Sequence, residues 1–331
     1  MRLILIDGLP GTGKSVTAQH LALRFRGAGQ TVRWFHERDL AHPVFSFRHL
    51  AELRHQDGRQ LAERLIAGWQ RLDGAEQEEI VILDGTLLNL GLGMLLAMRT
   101  PFDRICQTMD AIAAAIRAHD SALVYLSPAS IPQHLVALGA NRGSQWGYAM
   151  HRMLEQSPFA TDWQHRAGAG APVTAPDGDG VSPLVLAFWE HQHAVVGQLM
   201  ARWPLAAATS VRHGADWSGM QEQVATLVAA PGWTPTRPSV SVLLACLGAY
   251  RGVRSGRRVT ITTDGTTLYL QHADGVVTRL IPNGDDTSAV VEGLPAAVHF
   301  HVGSDRSILQ MTTAFDNDRV ITDEFEREGH E

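Results

Sequence analysis

An α/β fold with a parallel sheet, followed by a small antiparallel β domain, is the class this 331-residue sequence predicts. Three observations lead there. Strand-like and helix-like segments alternate over about two-thirds of the chain, and a glycine-rich turn joins the first strand to the first helix. After a proline-rich stretch at 231–238 the apolar period switches to twofold, with Asp-Gly, Asn-Gly and Ser-Asp turns between short runs.

Each element has its own signal. Leu3-Ile4-Leu5-Ile6-Asp7 reads as a buried strand, and Ala18, Leu21, Ala22 and Phe25 then recur at helical spacing. Further strands are expected at 31–36, 79–84 and 121–126, with a weaker fifth at 206–211. Between them Leu61, Leu65, Trp69 and Leu72 share one helix face, as do Met109, Ile112, Ala113 and Ile116. This alternation implies right-handed crossovers and a five-stranded parallel sheet with helices on both faces, whose ligands bind beyond the carboxyl ends of the strands. The expected organisation is one domain over 1–230, with a lid region about 127–183 that includes a Gly/Ala/Pro/Asp-rich loop at 167–183 before a helix at 184–203. A linker at 231–238 leads to an antiparallel, barrel-like accessory domain over 239–331. In that last domain strands are expected at 259–262, 267–270, 276–281, 297–302 and 308–313, and no catalytic constellation is evident there.

The turn after the first strand carries the chemistry. Gly8-Leu9-Pro10-Gly11-Thr12-Gly13-Lys14-Ser15 is a complete phosphate-binding loop, G-x-x-x-x-G-K-S, set between strand and helix as its mechanism requires. Of the 28 basic Lys and Arg residues, Lys14 is the sole lysine. A compact ammonium on a flexible stem can follow the β- and γ-phosphates, which the planar guanidinium fork does less well. Gly8, Gly11, Thr12, Gly13, Lys14, Ser15 and Val16 are the expected nucleotide contacts, with backbone N–H groups and the helix N-terminus facing the anion. The Ser15 hydroxyl suits Mg²⁺, which prefers oxygen ligands.

Asp84 ends the third strand after four apolar residues, the place from which a carboxylate can hold Mg²⁺ directly or through water; a helix-capping role is the alternative. Glu37 follows the second strand, where a base could take an acceptor proton, and it competes with a solvated loop in which Arg38 and Asp39 pair. His36 and His42 are expected to be ordinary polar loop residues. Arg142, after the helical stretch 131–138, is a candidate lid arginine or else a surface arginine at a helix end. Arg99 and Arg104 flank Pro101-Phe102 and are either anion ligands or solvated. His191 and His193, two apart on a helix, make a poor metal pair, and Trp69, Trp189 and Trp203 are expected in the core.

The loop Gly8–Ser15, the acids Glu37 and Asp84 and the lid-like Arg142 together resemble the P-loop nucleoside and nucleotide kinases, particularly the thymidylate-kinase-like group, over about residues 1–230. The resemblance implies a five-stranded parallel sheet, ATP and Mg²⁺, and transfer of the γ-phosphoryl group to a small-molecule acceptor. Lys14, Glu37, Asp84 and Arg142 are then the catalytic set. The chain departs from that family in carrying Gly85, where an arginine usually follows the third-strand acid, and in having one well-placed lid arginine. A non-kinase P-loop ATPase or nucleotide-dependent regulator, with the β domain as output, is the alternative.

Composition narrows the field. A net charge of −6 counts against a general nucleic-acid or membrane-surface binder and against a polynucleotide end kinase. A guanine-specific GTPase needs a second lysine for its base-reading Asn-Lys-x-Asp motif, and there is none. Nothing resembles the signature of a transporter ATPase or the oligomerising lid of a hexameric motor. Two cysteines without metal spacing, no apolar run of about 18 residues and no basic leader lead to the expectation of a soluble cytoplasmic protein. A homodimer is left open.

Overall fold

The protein is described by a computed structural model over residues 1–37, 39, 42–44, 57–74, 79–142, 144–167, 181–202, 208–213, 216–233, 240–273, 275–282, 288–294, 296–302, 308–315 and 321–328. By its contacts the chain forms two compact units, Met1–Ala18 with Gln30–Ala230, and Gln19–Gly29 with Pro231–Glu331.

The first unit is a layered α/β structure. Its strands are β1 (Arg2–Gly8), β2 (Val32–Phe35), β3 (Ile80–Asp84), β4 (Asp120–Pro128) and β5 (Ala208–His213). They pair in the order β2-β3-β1-β4-β5, every neighbour parallel. Because β3 lies directly beside β1, with Asp84 opposite Ile6, the acid at the end of β3 stands next to the loop that leaves β1. Leu3, Ile4, Leu5 and Ile6 are all buried, as befits a central strand covered on both faces.

The helices are α1 (Lys14–Gly27), α2 (Gly58–Gln70), α3 (Gly93–Ala97), α4 (Phe102–Ile116), α5 (Ile131–Arg142), α6 (Ser144–Leu154), α7 (Pro158–Ala167), α8 (Pro183–Arg202) and α9 (Trp217–Leu227). The apolar faces expected of α1, α2 and α4 are all buried, and Trp69 and Trp189 lie in the core. Between β3 and α3 the chain makes a π-helical turn, Thr86–Leu92, in which the Leu90 N–H reaches the Gly85 carbonyl at 3.1 Å. Such a turn has no hydrophobic-period signature, and the sequence offered no sign of it. The helix expected to stop at 138 runs on to Arg142 because Gly139 is buried within it. The fifth strand begins two residues later than expected. The loop at 167–183 and Trp203 fall largely outside the described residues.

In the second unit, α10 (Val240–Cys246) precedes the strands β6 (Gly248–Gly252), β7 (Arg258–Thr263), β8 (Leu268–His272), β9 (Val277–Pro282), β10 (Ser288–Val291), β11 (Ala296–Val302), β12 (Ile308–Phe315) and β13 (Ile321–Arg327). They form an antiparallel barrel that closes by pairing β13 with β6 and β9 with β10. Its core holds Cys246, Tyr250, Ile261, Val298, Phe300 and Phe325. The expectation omitted β6, β10 and β13, and closure depends on these strands. Gln19 donates from Nε2 to the carbonyls of Val291, at 2.8 Å, and Leu294, and its Oε1 accepts from the Gly293 N–H. Both cysteines are free and buried. No described helix is long and apolar enough to cross a membrane.

Candidate functional site

The site is built at the carboxyl ends of β1 and β3. The loop after β1 is tightened by the Leu9 carbonyl, which accepts from the Thr12 N–H at 3.3 Å, the Thr12 hydroxyl at 2.8 Å and the Lys14 ammonium at 3.1 Å. The first intrahelical bond of α1 runs from the Thr17 N–H to the Gly13 carbonyl. The amides of Lys14, Ser15 and Val16 therefore precede it, as first-turn donors always do, and are available to an anion. Two elements pack on the loop from outside. Leu138 of α5 meets it at Gly11, and the His134 Nε2 lies 2.8 Å from the Pro10 carbonyl. Trp217, at the start of α9, lies so close to Gly13 that a Cβ there would stand 2.0 Å from the indole; at φ 83 glycine is also the residue the backbone favours.

Asp84 has no exposed surface, and neither carboxylate oxygen makes a hydrogen bond. Ser15 is near enough to favour the charged form without reaching hydrogen-bonding geometry, and the His36 Nε2 lies 3.9 Å away. Burial pushes the carboxyl up to about 7, with Lys14 opposing the rise and Glu37 adding to it. A buried carboxylate without a donor is costly unless it is protonated or a cation completes its surroundings. Asp84 and Ser15 are oxygen ligands and fit Mg²⁺. Among the described residues no group of three His, Cys, Asp or Glu side chains is arranged to hold a metal.

Gly85 explains how the rest converges. Its φ is 66, and a Cβ would meet the Glu37 Oε2 at 2.7 Å and the Lys14 Cε at 3.0 Å. The Glu37 carboxylate and the Lys14 stem thus converge on this glycine. Glu37 is steadied by the Asn89 Nδ2, which donates to its Oε2 at 3.0 Å. Asn89 rides on the π-helical turn, and that turn is held by Asp7. The Asp7 carboxylate accepts from the N–H groups of Leu87, Leu88 and Asn89 at 3.0, 2.8 and 2.7 Å, and from Gly8 at 3.1 Å. Burial raises Asp7 to about 6, against the pull of these N–H donors and Lys14. Sequence reasoning missed Asp7, Asn89 and Trp217. The signal for Asp7 was an acid closing an otherwise apolar strand.

His36 and His42 lie in the loop after β2, as expected, but are buried there rather than ordinary polar surface residues. The His42 Nε2 lies 3.0 Å from the Thr86 hydroxyl, which itself donates to the Asp84 carbonyl, while the Val44 N–H donates to the His42 Nδ1. This pattern places the proton of a neutral ring on Nε2. Burial, with His36 nearby, lowers the ring to about 3, so it stays neutral. Asp39 is also buried, and Arg38 lies outside the described residues.

Arg142 is not gathered into this cluster. It is exposed at the last position of α5, its guanidinium 5.8 Å from the Trp146 ring, one helical turn beyond the Leu138 that meets Gly11. His191 and His193 are split as expected: His193 faces the Tyr125 hydroxyl at 3.2 Å, and His191 stacks on Phe159.

No family model matches the sequence, and no curated protein matches it either. Among solved structures, the chain is similar to the full-length tRNA isopentenylpyrophosphate transferase from Bacillus halodurans. Identity is 11%, over 69% of this chain and 95% of that one, with a TM-score of 0.32. A likeness that slight carries no argument, and the reading below stands on the site's geometry.

Proposed function

We propose that the protein is an ATP- and Mg²⁺-dependent phosphotransferase that moves the γ-phosphoryl group to a small-molecule acceptor. The observation that carries this reading is the orphaned, fully buried Asp84 carboxylate beside the Gly8–Ser15 loop, with Lys14 and Glu37 meeting over Gly85. In this reading the amides of the loop and of Ser15 and Val16 bind the phosphate oxygens. Lys14 leaves the Leu9 carbonyl and takes the charge that develops on the transferring group. Asp84 and Ser15 would hold Mg²⁺, which when bound neutralises charge on the phosphates. Glu37, oriented by Asn89, accepts the proton of the acceptor hydroxyl. Arg142 reaches the site only if α5 and α6 rearrange around a bound nucleotide, as a lid arginine would. Trp217, half-exposed beside Gly13, offers an apolar plane to the nucleobase.

The test is calorimetry with saturating Mg²⁺ and each purine triphosphate, followed by ATP consumption against a panel of nucleosides, nucleotides, aminoglycoside-like compounds and sugar alcohols. Binding heat and acceptor-dependent turnover are expected. Absence of both heat and thermal upshift would discard the reading, and full turnover without any acceptor would convert it to a plain ATPase.

A further inference from the structure

A cavity of about 520 Å³ opens between the turn after α3, the start of α4, and helices α7 and α8. It has the size of a small-ligand pocket. None of the residues that line it belongs to the site described above. Phe102, Phe159, Trp163 and His191 give it flat apolar and aromatic walls, and Arg99 and Arg166 bring charge to it. The Asp162 carboxylate pairs with both arginines, at 2.8 Å from the Arg166 Nη2. One carboxylate against two guanidiniums leaves an excess positive charge. Burial and then the fields of Arg166 and Arg99 lower His191, so its ring stays neutral while both arginines act on it.

Two further features lie at this end of the cavity. The Arg99 and Thr100 N–H groups close the end of α3 onto the carbonyls of Leu96 and Leu95, at 2.9 and 3.0 Å. Arg99 is left in the left-handed region at φ 54, a position where glycine is the usual residue. Helix α4 follows Pro101 with no side-chain cap, and the positive potential of its first-turn N–H groups near Phe102 is offset in part by Asp103 of the same turn. Arg104, weighed beside Arg99 in the sequence, lies exposed on α4 and does not line the cavity.

We propose that this cavity binds a small organic monoanion with a flat aromatic body, the body lying against Trp163 and Phe102 and the carboxylate facing Arg99 and Arg166. Aromatic walls without the excess charge would take neutral molecules equally well, and exposed arginines without the walls would hold only inorganic ions. The combination selects for an arylcarboxylate.

The test uses the full-length protein without nucleotide, so it is independent of phosphoryl transfer. Calorimetric titration with 1-naphthoate should show saturable one-to-one binding, about tenfold or more tighter than that of the neutral 1-naphthalenemethanol. Arg166→Ala, at an exposed position that leaves the Arg99–Asp162 pair intact, should weaken naphthoate about tenfold and leave the alcohol unchanged. Ala187→Trp, which fills the cavity, should abolish both. Wild-type protein that does not saturate with naphthoate in the millimolar range, equal affinity for acid and alcohol, or unchanged naphthoate affinity in Arg166→Ala would each overturn the proposal.

Discussion

Asp84 in the sheet unit and Asp264 in the barrel unit are the same side chain put to opposite uses. Asp264 is exposed and accepts from the N–H groups of Thr266 and Thr267 and from the Tyr269 hydroxyl, at 2.9, 2.9 and 2.8 Å. The Thr266 N–H above all, then the Tyr269 hydroxyl, hold it far below the usual carboxylate range. Asp323, also in the barrel, accepts from Ser255 and from the N–H groups of Arg254 and Glu324. Asp84 is buried with neither oxygen satisfied, and burial drives it up to about 7. A carboxylate whose acceptors are met by its own turn is finished structure. One left buried and unmet either keeps its proton or calls for a donor or a cation, which is what the proposed Mg²⁺ role would supply.

The sharpest way to break this contrast is at Lys14. Lys14→Ala should lower phosphoryl transfer by about a thousandfold or more, and Lys14→Arg by at least about tenfold, with the melting temperature little changed. Steady-state rates within about tenfold of wild type in either variant would remove the lysine from the mechanism.

Asp84→Asn comes next. It should reduce kcat by about a hundredfold and weaken the Mg²⁺ dependence; an unchanged metal titration would remove Asp84 from the site. It also has a signature in stability. Folded Asp84 and Asp7 titrate near 7 and 6, above the unfolded value of 3.8, so the folded protein holds protons that the unfolded chain releases. In the absence of metal and nucleotide, the contribution of these two groups to stability should therefore be full below about pH 4, fall as pH rises to about 7, and level off above. Asp84→Asn should lessen that fall and raise the melting temperature at pH 8, which a pH series of thermal melts would read.

Gly85→Ala should force Glu37 and Lys14 apart and place alanine at φ 66, costing about 1 kcal/mol in backbone strain and lowering kcat more than about tenfold. Wild-type turnover in that variant would show that the two side chains need not meet there. Glu37→Gln should lower kcat by roughly ten- to a hundredfold, and an unchanged kcat would return Glu37 to the loop. Asn89→Ala should reproduce part of the kcat loss with KM for ATP unchanged, and a change in KM alone would deny it the orienting role.

The smallest effect is expected in the barrel. Asp264→Ala should leave turnover at the wild-type rate and lower the melting temperature slightly above pH 4, where the carboxylate is charged and bonded in its turn. Protonation removes the advantage at lower pH, so variant and wild type should converge there. A loss of turnover in Asp264→Ala would undo the division between the two units.

Legibility in the sequence followed the range of the interactions involved. The strand, loop and helix at 2–27 were readable because a glycine pattern, an apolar run and a helical period all lie within a short window. The same holds for the faces of α2 and α4 and for the acids at the ends of β2 and β3. Trp217 against Gly13 and Asp7 beneath the turn 86–92 were not readable, since the partners are separated by about 200 and 80 residues and no local pattern marks either end. The barrel strands β6, β10 and β13 were missed because they are short or charged and become strands through pairing with distant partners. Arg142, read as a lid arginine or a surface arginine at a helix end, closes the helix Ile131–Arg142, and the sequence could not show that its guanidinium lies over Trp146.

Residue identity alone therefore determined the nucleotide-loop motif, the single lysine and the layered class, because these depend on backbone freedom, charge type and apolar period along the chain. Only the tertiary structure decided that Glu37 and Lys14 meet over Gly85, that Asp84 is left buried without a donor, and that His42 is kept neutral against Thr86. Those outcomes depend on which groups lose water together, and desolvation is a property of the packed molecule rather than of any segment within it.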